Sequence, residues 1–410
     1  MNARRVALVS CLSLAALRVD AQMARRHSPQ PPADTGQKLE IYGFGQADAI
    51  YDFRQNNPDW FDVNRPSRLP SVAEEFGKNN RTWFSARQSR FGVKGTFPTT
   101  HGDVKTNFDF DMFGTGVDAG QTTIRLRHAY GQWGQVGAGQ LESPFMDLDI
   151  FPNVLDYWGP NGMLFFRNVQ IFWQPVNHDN TRFTLAIERP GASGDGGIYA
   201  DRVELQNITA RFPAPDVSAE YRLGTGWGYL ELAGIVRWIY WDDMLADNFD
   251  LSGSAVGWGT SLSSNVKAGK HDVLRLQAVY GAGVENYFND APVDIGVENN
   301  PGNARRPIVG EALRDLGLVA YLDHQWNSQW TSALGWSMVQ IENSDAQSPS
   351  AFHNGQYTSV NALYSPLSQV MMGAEFQWAY RKNFSDSFST NDYRIQVSFK
   401  YNFSKKFGGN

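Results

Sequence analysis

The sequence predicts an all-β fold: a 16-stranded antiparallel transmembrane β-barrel with short periplasmic turns, long external loops and an inward-folded third loop. Three observations carry this. Polar and apolar residues alternate with period two in segment after segment beyond residue 38, and that period puts successive side chains on opposite faces of a strand. The last such segment, 391–403, has Tyr393, Ile395, Val397, Phe399, Tyr401 and Phe403 on one face and Arg394, Gln396, Ser398, Lys400 and Asn402 on the other. Aromatics at both ends of an apolar face mark a strand that meets lipid and has its ends at the two interfaces. Finally, the mean hydropathy is only −0.41 although 13% of residues are aromatic, with 39 Gly and 13 Trp among 410 residues. Beyond the N-terminus there is no run of about 18 apolar residues, which excludes a membrane-spanning helix. A barrel accommodates that polar average because only every second residue faces lipid.

Residues 1–21 have the parts of a signal peptide: Arg4 and Arg5, an apolar core from 6 to 17, and Val19-Asp20-Ala21 as a small-residue cleavage site. Cleavage there removes Cys11, the only cysteine, which leaves no disulfide, thiolate metal site or Cys nucleophile. It also removes Arg4, Arg5, Arg18 and Asp20, so the net charge moves from −6 to −8. An acidic chain of this kind argues against nucleic acid as a partner. Residues 22–38, Pro-rich and polar, read as a flexible periplasmic linker.

The barrel is expected over 39–403, with 404–410 (S-K-K-F-G-G-N) as a C-terminal tail. Strand 39–53 sets Ile41, Gly43, Gly45, Ala47, Ala49 and Tyr51 against Tyr42, Phe44, Gln46 and Asp48. In 82–97, Phe91, Val93 and Phe97 point outward and Arg90 and Lys94 inward. In 103–113, Asp103, Lys105, Asn107, Asp109 and Asp111 oppose Val104, Thr106, Phe108, Phe110 and Met112. Five polar residues on one face do not fit a dry core, so that face is wet. In 121–133, Ile124, Leu126 and Tyr130 oppose Arg125, Arg127 and Gly131, and a short strand 135–141 follows. Segment 143–163 is too apolar for an ordinary external loop, and folding back into the barrel explains that. Strands 165–174, 182–188, 216–222, 227–241, 254–268, 271–281, 315–325, 328–342, 356–365, 368–382 and 391–403 complete the set. Reading 202–212 as a strand would make 17 and put short and long connections on the wrong sides. Treating 190–215 as one external loop gives 16, an even number with both ends periplasmic.

Four segments resemble the DcaP-like porin family, within the general bacterial trimeric porins. They are Ser89-Arg90-Phe91-Gly92-Val93-Lys94-Gly95, Arg125-Leu126-Arg127-His128-Ala129-Tyr130, Gly139-Gln140-Leu141-Glu142-Ser143-Pro144-Phe145, and Asn361-Ala362-Leu363-Tyr364-Ser365-Pro366 followed by Gly373-Ala374-Glu375-Phe376-Gln377-Trp378. The resemblance implies a homotrimeric bacterial outer-membrane barrel constricted by its third loop, which takes up small hydrophilic solutes, small anions such as dicarboxylates among them. Two features depart from the family. Residues 22–38 lack the heptad pattern of a periplasmic stalk, and the tail runs past Phe403 to a second candidate assembly signal, Phe407.

A passive channel needs a polar lumen, a constriction and a charge-selecting field, not a nucleophile. The basic side of the constriction is expected at Arg90, Lys94, Arg125 and Arg127, with the loop acids Asp147, Asp149 and Asp156 facing them. Arg167, Arg237, Arg275 and Arg394 are secondary candidates, expected to be ordinary solvated lumen groups. Enzyme readings find little support. None of the seven histidines accompanies a G-x-S-x-G motif, Gly281-Ala282-Gly283 lacks the third glycine of a dinucleotide loop, and the acids Asp242, Asp243, Asp247 and Asp250 match no calcium-loop spacing. No catalytic residue, metal or cofactor is expected. A lipase-like barrel enzyme and a non-conducting structural or adhesive barrel are the alternatives.

Overall fold

The structure is a computed structural model that describes residues 36–178 and 180–408. The expected signal peptide and nearly all of the linker lie outside the described residues. The described residues form twenty strands and only short 3-10 turns. In the first half of the chain these are β1 (Lys38–Asp52), β2 (Arg81–Ser85), β3 (Arg90–Thr99), β4 (Gly102–Phe113), β5 (Thr122–Trp133), β6 (Val136–Glu142), β7 (Arg167–His178), β8 (Thr181–Glu188), β9 (Ile208–Arg211) and β10 (Asp216–Thr225). The second half adds β11 (Gly228–Asp243), β12 (Gly253–Lys267), β13 (Asp272–Ala282), β14 (Ile295–Asn299), β15 (Ile308–Ala312), β16 (Arg314–Gln325), β17 (Trp330–Glu342), β18 (Phe352–Leu367), β19 (Val370–Asn383) and β20 (Ser389–Phe407).

Sixteen staves close into one antiparallel barrel, because β2 and β3 share one stave and β9, β14 and β15 lie outside the count. Strand β1 pairs with β2 over its upper half and with β3 over its lower half. Strand β8 pairs directly with β10, and the circle closes where β1 meets β20 from Leu39↔Phe407 to Asp52↔Arg394. Closure leaves no free sheet edge. The stretch expected as an external loop, 190–215, holds one short strand. β9 pairs with the top of β11, Tyr240↔Arg211 to Asp243↔Ile208, and so continues β10 upward past Pro213 and Pro215. Proline cannot donate to a ladder, which explains the break. The long connection before β16 carries the hairpin β14–β15.

Two expectations are corrected here. The last strand runs on to Phe407, with Ser404, Lys405, Lys406 and Phe407 paired to Tyr42, Ile41, Glu40 and Leu39. The segment expected as a tail is therefore mostly strand, because β1 begins low enough to pair with it. The other correction concerns β5. A register shift between Asp109 and Phe110 opposite His128 and Leu126 marks a bulge, which inserts one residue and reverses the alternation beyond it. His128 and Tyr130 thus join Arg125 and Arg127 on the inner face, whereas strict alternation had placed Tyr130 outside.

The lipid-type outer face is built as expected. Phe84, Phe108, Ile124, Ile171, Leu232, Val256, Leu334, Val397 and Phe399 are all exposed. The inner face is not uniformly wet. Ala233, Ile235, Val279, Val339 and Ile341 form a buried core with Phe145, Met146 and Leu164, and Val319, Tyr321 and Tyr357 form another with Ile150 and Met163. Segment 143–166 supplies the second half of both cores, so it packs on the inside of the β11–β18 wall. Its fit is close: a Cβ on Gly162 would collide with the carbonyl oxygens of Met338 and Leu318.

Candidate functional site: a one-sided lumen

The inward segment is fastened in sequence around the wall. Ser143 Oγ donates to Glu188 Oε1 at 2.6 Å. Asp147 accepts from Arg222 Nη2, the Tyr229 hydroxyl and Ser263 Oγ, each at 2.6 Å. Asn361 Nδ2 donates to the Asn153 carbonyl at 2.8 Å. The Leu155 and Asp156 amides donate to Glu375 at 2.8 and 3.1 Å, and Asn161 Nδ2 donates to the Gly355 carbonyl at 2.9 Å. The β11–β18 side is filled by this segment, and the wall of β1, β3–β7 and β20 meets it at Tyr157 and at the Leu155 carbonyl, which accepts from Gln88 and Gln396.

That wall is lined by charge. Arg125 forms a two-pronged ion pair with Asp111, Nε–Oδ1 3.1 Å and Nη2–Oδ2 2.7 Å, the paired geometry that a planar guanidinium makes with a carboxylate. Arg127 Nη1 lies 3.1 Å from the same Asp111 and its Nε 3.9 Å from Asp109. The Tyr157 hydroxyl, carried by the inward segment, joins this group: both arginines donate to it and it donates to Asp111. His128 stands between Asp109 Oδ1 and Glu142 Oε1, 2.7 Å from each. Two acceptors on the two ring nitrogens fit the imidazolium, which donates from both. Arg167 pairs with Glu142 at 3.2 Å and lies 4.6 Å from the Phe165 ring.

Arg90 and Lys94 reach the same wall with no carboxylate within 4.0 Å among the described residues. Arg90 Cζ lies 5.3 Å from the Phe44 ring and Lys94 Nζ 4.5 Å from the Tyr42 ring. Four expected basic residues therefore share one wall, and Arg167 adjoins them.

The acidic side differs from the expectation. Asp147 and Asp149 both pair with Arg222 of β10, an arginine that sequence reasoning gave no role. Glu231 completes the set at 2.6 Å from Arg222 Nε. The reason is steric: the segment hugs the β10–β13 wall, so its first acids meet that wall's cation. Asp156 is also a fastening group, only 3% exposed, accepting from the Tyr357 hydroxyl at 3.1 Å and the Asn64 amide at 3.2 Å. Burial, opposed by Arg394 and reinforced by Glu375, raises its carboxyl to about 7.

The secondary arginines are not ordinary solvated groups. Arg237 and Arg394 are fully buried. Arg237 pairs with Asp216 at 3.1 Å and with the loop acid Asp294 at 2.9 Å. Arg394 pairs with Asp52 at 2.5 Å and donates to the Phe61 carbonyl at 2.9 Å. Arg275 pairs with Asp323 at 2.7 Å and also donates to the Asp149 carbonyl. All three tie loops or staves together. Sequence reasoning also missed His128, Glu142 and Tyr157. His128 and Glu142 lie in two of the resembling segments but were given no role there, and Tyr157 left only the trace of an aromatic in a segment too apolar for a loop.

A closed antiparallel barrel of 16 staves with a segment packed inside it and a charged wall opposite defines a bacterial outer-membrane porin. Solved structures share the fold. The outer membrane channel DcaP of Acinetobacter baumannii matches with a TM-score of 0.74 at 20% identity, over 90% of this chain and 99% of that one. An anion-selective porin from Comamonas acidovorans matches at 0.58 and 9% identity, over 90% and 100%. The trimer form of OmpT from Vibrio cholerae matches at 0.54 and 10%, over 90% and 99%. No protein of curated function matches the chain. The family model of the DcaP outer membrane protein matches residues 15–403, and the chain belongs to that family. Its place is the bacterial outer membrane.

Proposed function

We propose that this porin is a passive channel for small hydrophilic solutes that prefers small anions such as dicarboxylates, working as a homotrimer and not as an enzyme. Its short-turn end and both termini face the periplasm, and the inward segment forms the constriction. The observation that carries the reading is that apolar packing fills the β11–β18 side while the opposite wall bears Arg90, Lys94, Arg125, Arg127 and Arg167, and on this reading solutes pass along that wall. A solute squeezed against one charged wall in a low-dielectric barrel feels that charge at close range. The anion-selective Comamonas acidovorans neighbour and the Vibrio cholerae trimer lend support from fold alone.

Planar-bilayer recording in a potassium chloride gradient tests it. The expected result is stepwise conductance with a reversal potential on the anion side. Absence of channels, or a cation-side reversal potential, overturns the proposal.

A further inference from the structure

The cations of the passage fall into two kinds according to what holds them. Arg125, Arg127 and Arg167 are held by carboxylates at 2.7–3.2 Å. A carboxylate at that distance positions a cation and also cancels most of its field a few ångströms away. Arg90, Lys94 and Lys400 have no carboxylate within 4.0 Å among the described residues. They are positioned by aromatic rings instead. Lys400 Nζ lies 3.8 Å from the centre of the Phe44 ring, Arg90 Cζ 5.3 Å from the same ring, and Lys94 Nζ 4.5 Å from Tyr42. An aromatic face attracts a cation through its quadrupole but carries no net charge. It therefore holds the side chain in place without itself cancelling the charge; Asp111 and Asp109, opposite Arg90 and Gly92 on β4, act on Arg90 only from further away.

Arg90 and Lys400 share the Phe44 ring, and Lys94 lies over Tyr42, two residues away on β1. Phe44 is on β1, which runs between β20 and β3, and it is paired with Arg90 on one side and Asn402 on the other. Lys400 sits opposite Gln46, one step inward along the same staves, and Lys94 opposite Glu40. Arg90 Nε is buried with no hydrogen-bond partner. Asp48, the carboxylate further up the same β1 face, is engaged by Gln46, Gln88, Gln396 and Ser398. Like charges with a spare donor on Arg90 and no carboxylate in direct contact form a site that an anion with several acceptor oxygens completes.

We infer that Arg90, Lys94 and Lys400, seated on Phe44 and Tyr42, are the charge filter of this channel and the docking point for a passing carboxylate, and that the ion-paired Arg125, Arg127 and Arg167 are structural. This rests on the anion preference proposed above.

The test compares reversal potentials of single-charge removals in the whole purified protein, with folding verified by resistance of the barrel to unheated detergent. Lys400→Met lowers the chloride-to-potassium permeability ratio more than Arg167→Gln does, although each removes one positive charge. The triple variant Arg90→Gln, Lys94→Met, Lys400→Met lowers it at least about threefold, and Lys400→Arg preserves it. Added malonate reduces the chloride current of the wild type and fails to do so in the triple variant. A wild type without anion preference overturns the functional proposal itself. An anion-preferring wild type whose ratio and malonate block survive in the folded triple variant, or in which Arg167→Gln has the larger effect, overturns this inference alone.

Discussion

Raising the pH through neutrality loosens the tip of the inward segment, and Asp156→Asn abolishes that response. The tip is fixed where the Leu155 and Asp156 amides donate to Glu375 and where Asp156 accepts from Tyr357 and Asn64. Two carboxyls thus share one buried seat, and neither has an ion-pair partner within 4.0 Å among the described residues. Arg394, which acts on Asp156 from further away, is committed to Asp52. In the seat the Asp156 carboxyl is raised to about 7, whereas a solvated aspartate titrates near 3.9. The seated state therefore binds the extra proton. Its stabilisation is complete below about pH 4, falls as pH rises, and is lost once pH passes about 7. About three pH units at 1.36 kcal/mol each amount to roughly 4 kcal/mol, a little over half of it between pH 5 and pH 7. Hydrogen exchange at the Leu155 and Asp156 amides is the assay, with wild type and Asp156→Asn compared at each pH so that intrinsic exchange cancels. Relative protection of the wild type falls by about fiftyfold from pH 5 to pH 7 and then levels off. A ratio independent of pH refutes the reasoning, because it would mean that the carboxyl does not titrate in its seat.

Two further outcomes are expected. Arg222→Ala leaves Asp147 buried without its cation and Glu231 with Arg182 alone and destabilises the seated segment by about 3–5 kcal/mol, read as a lower temperature for the gel-shift unfolding of the barrel. Deleting 404–410 removes the four pairs from Leu39↔Phe407 to Tyr42↔Ser404 and lowers the refolded yield from urea into detergent. An unchanged yield would show that the barrel closes without them.

The count and order of the staves were legible because period-two alternation is local: a strand such as β4 shows its two faces within its own twelve residues. The apolarity of segment 143–163 was the signal for an inward fold, and its Phe145, Ile150 and Met163 are buried against wall residues. What it packs on was not read, although Ile235 and Val279 occupy the inner face beside Glu231 and Gln277. Isolated apolar residues on a polar face look like noise until a partner covers them. The bulge at His128 left no signal either, since it is a relation between β4 and β5 and not a composition. Charge partners were least legible of all. Arg222 lies 75 residues from Asp147, and nothing in either neighbourhood points to the other.

The anion preference proposed above has to operate in an acidic chain. Net charge is −6 over the whole chain, yet selection depends on the groups that a solute meets within about a Debye length, roughly 8 Å at physiological salt. Many of the buried acids are spent inside: Asp147 and Glu231 on Arg222, Asp216 and Asp294 on Arg237, Asp52 on Arg394. Each such pair leaves little field in the passage. Cations held by Phe44 and Tyr42 have no carboxylate in direct contact among the described residues. The same logic explains why the arginines most conspicuous in the sequence, Arg125 and Arg127, are weak candidates for the filter. Two cations that hold a loop through one aspartate and one tyrosine have surrendered most of their field to that task, and a lysine over a phenylalanine ring has not.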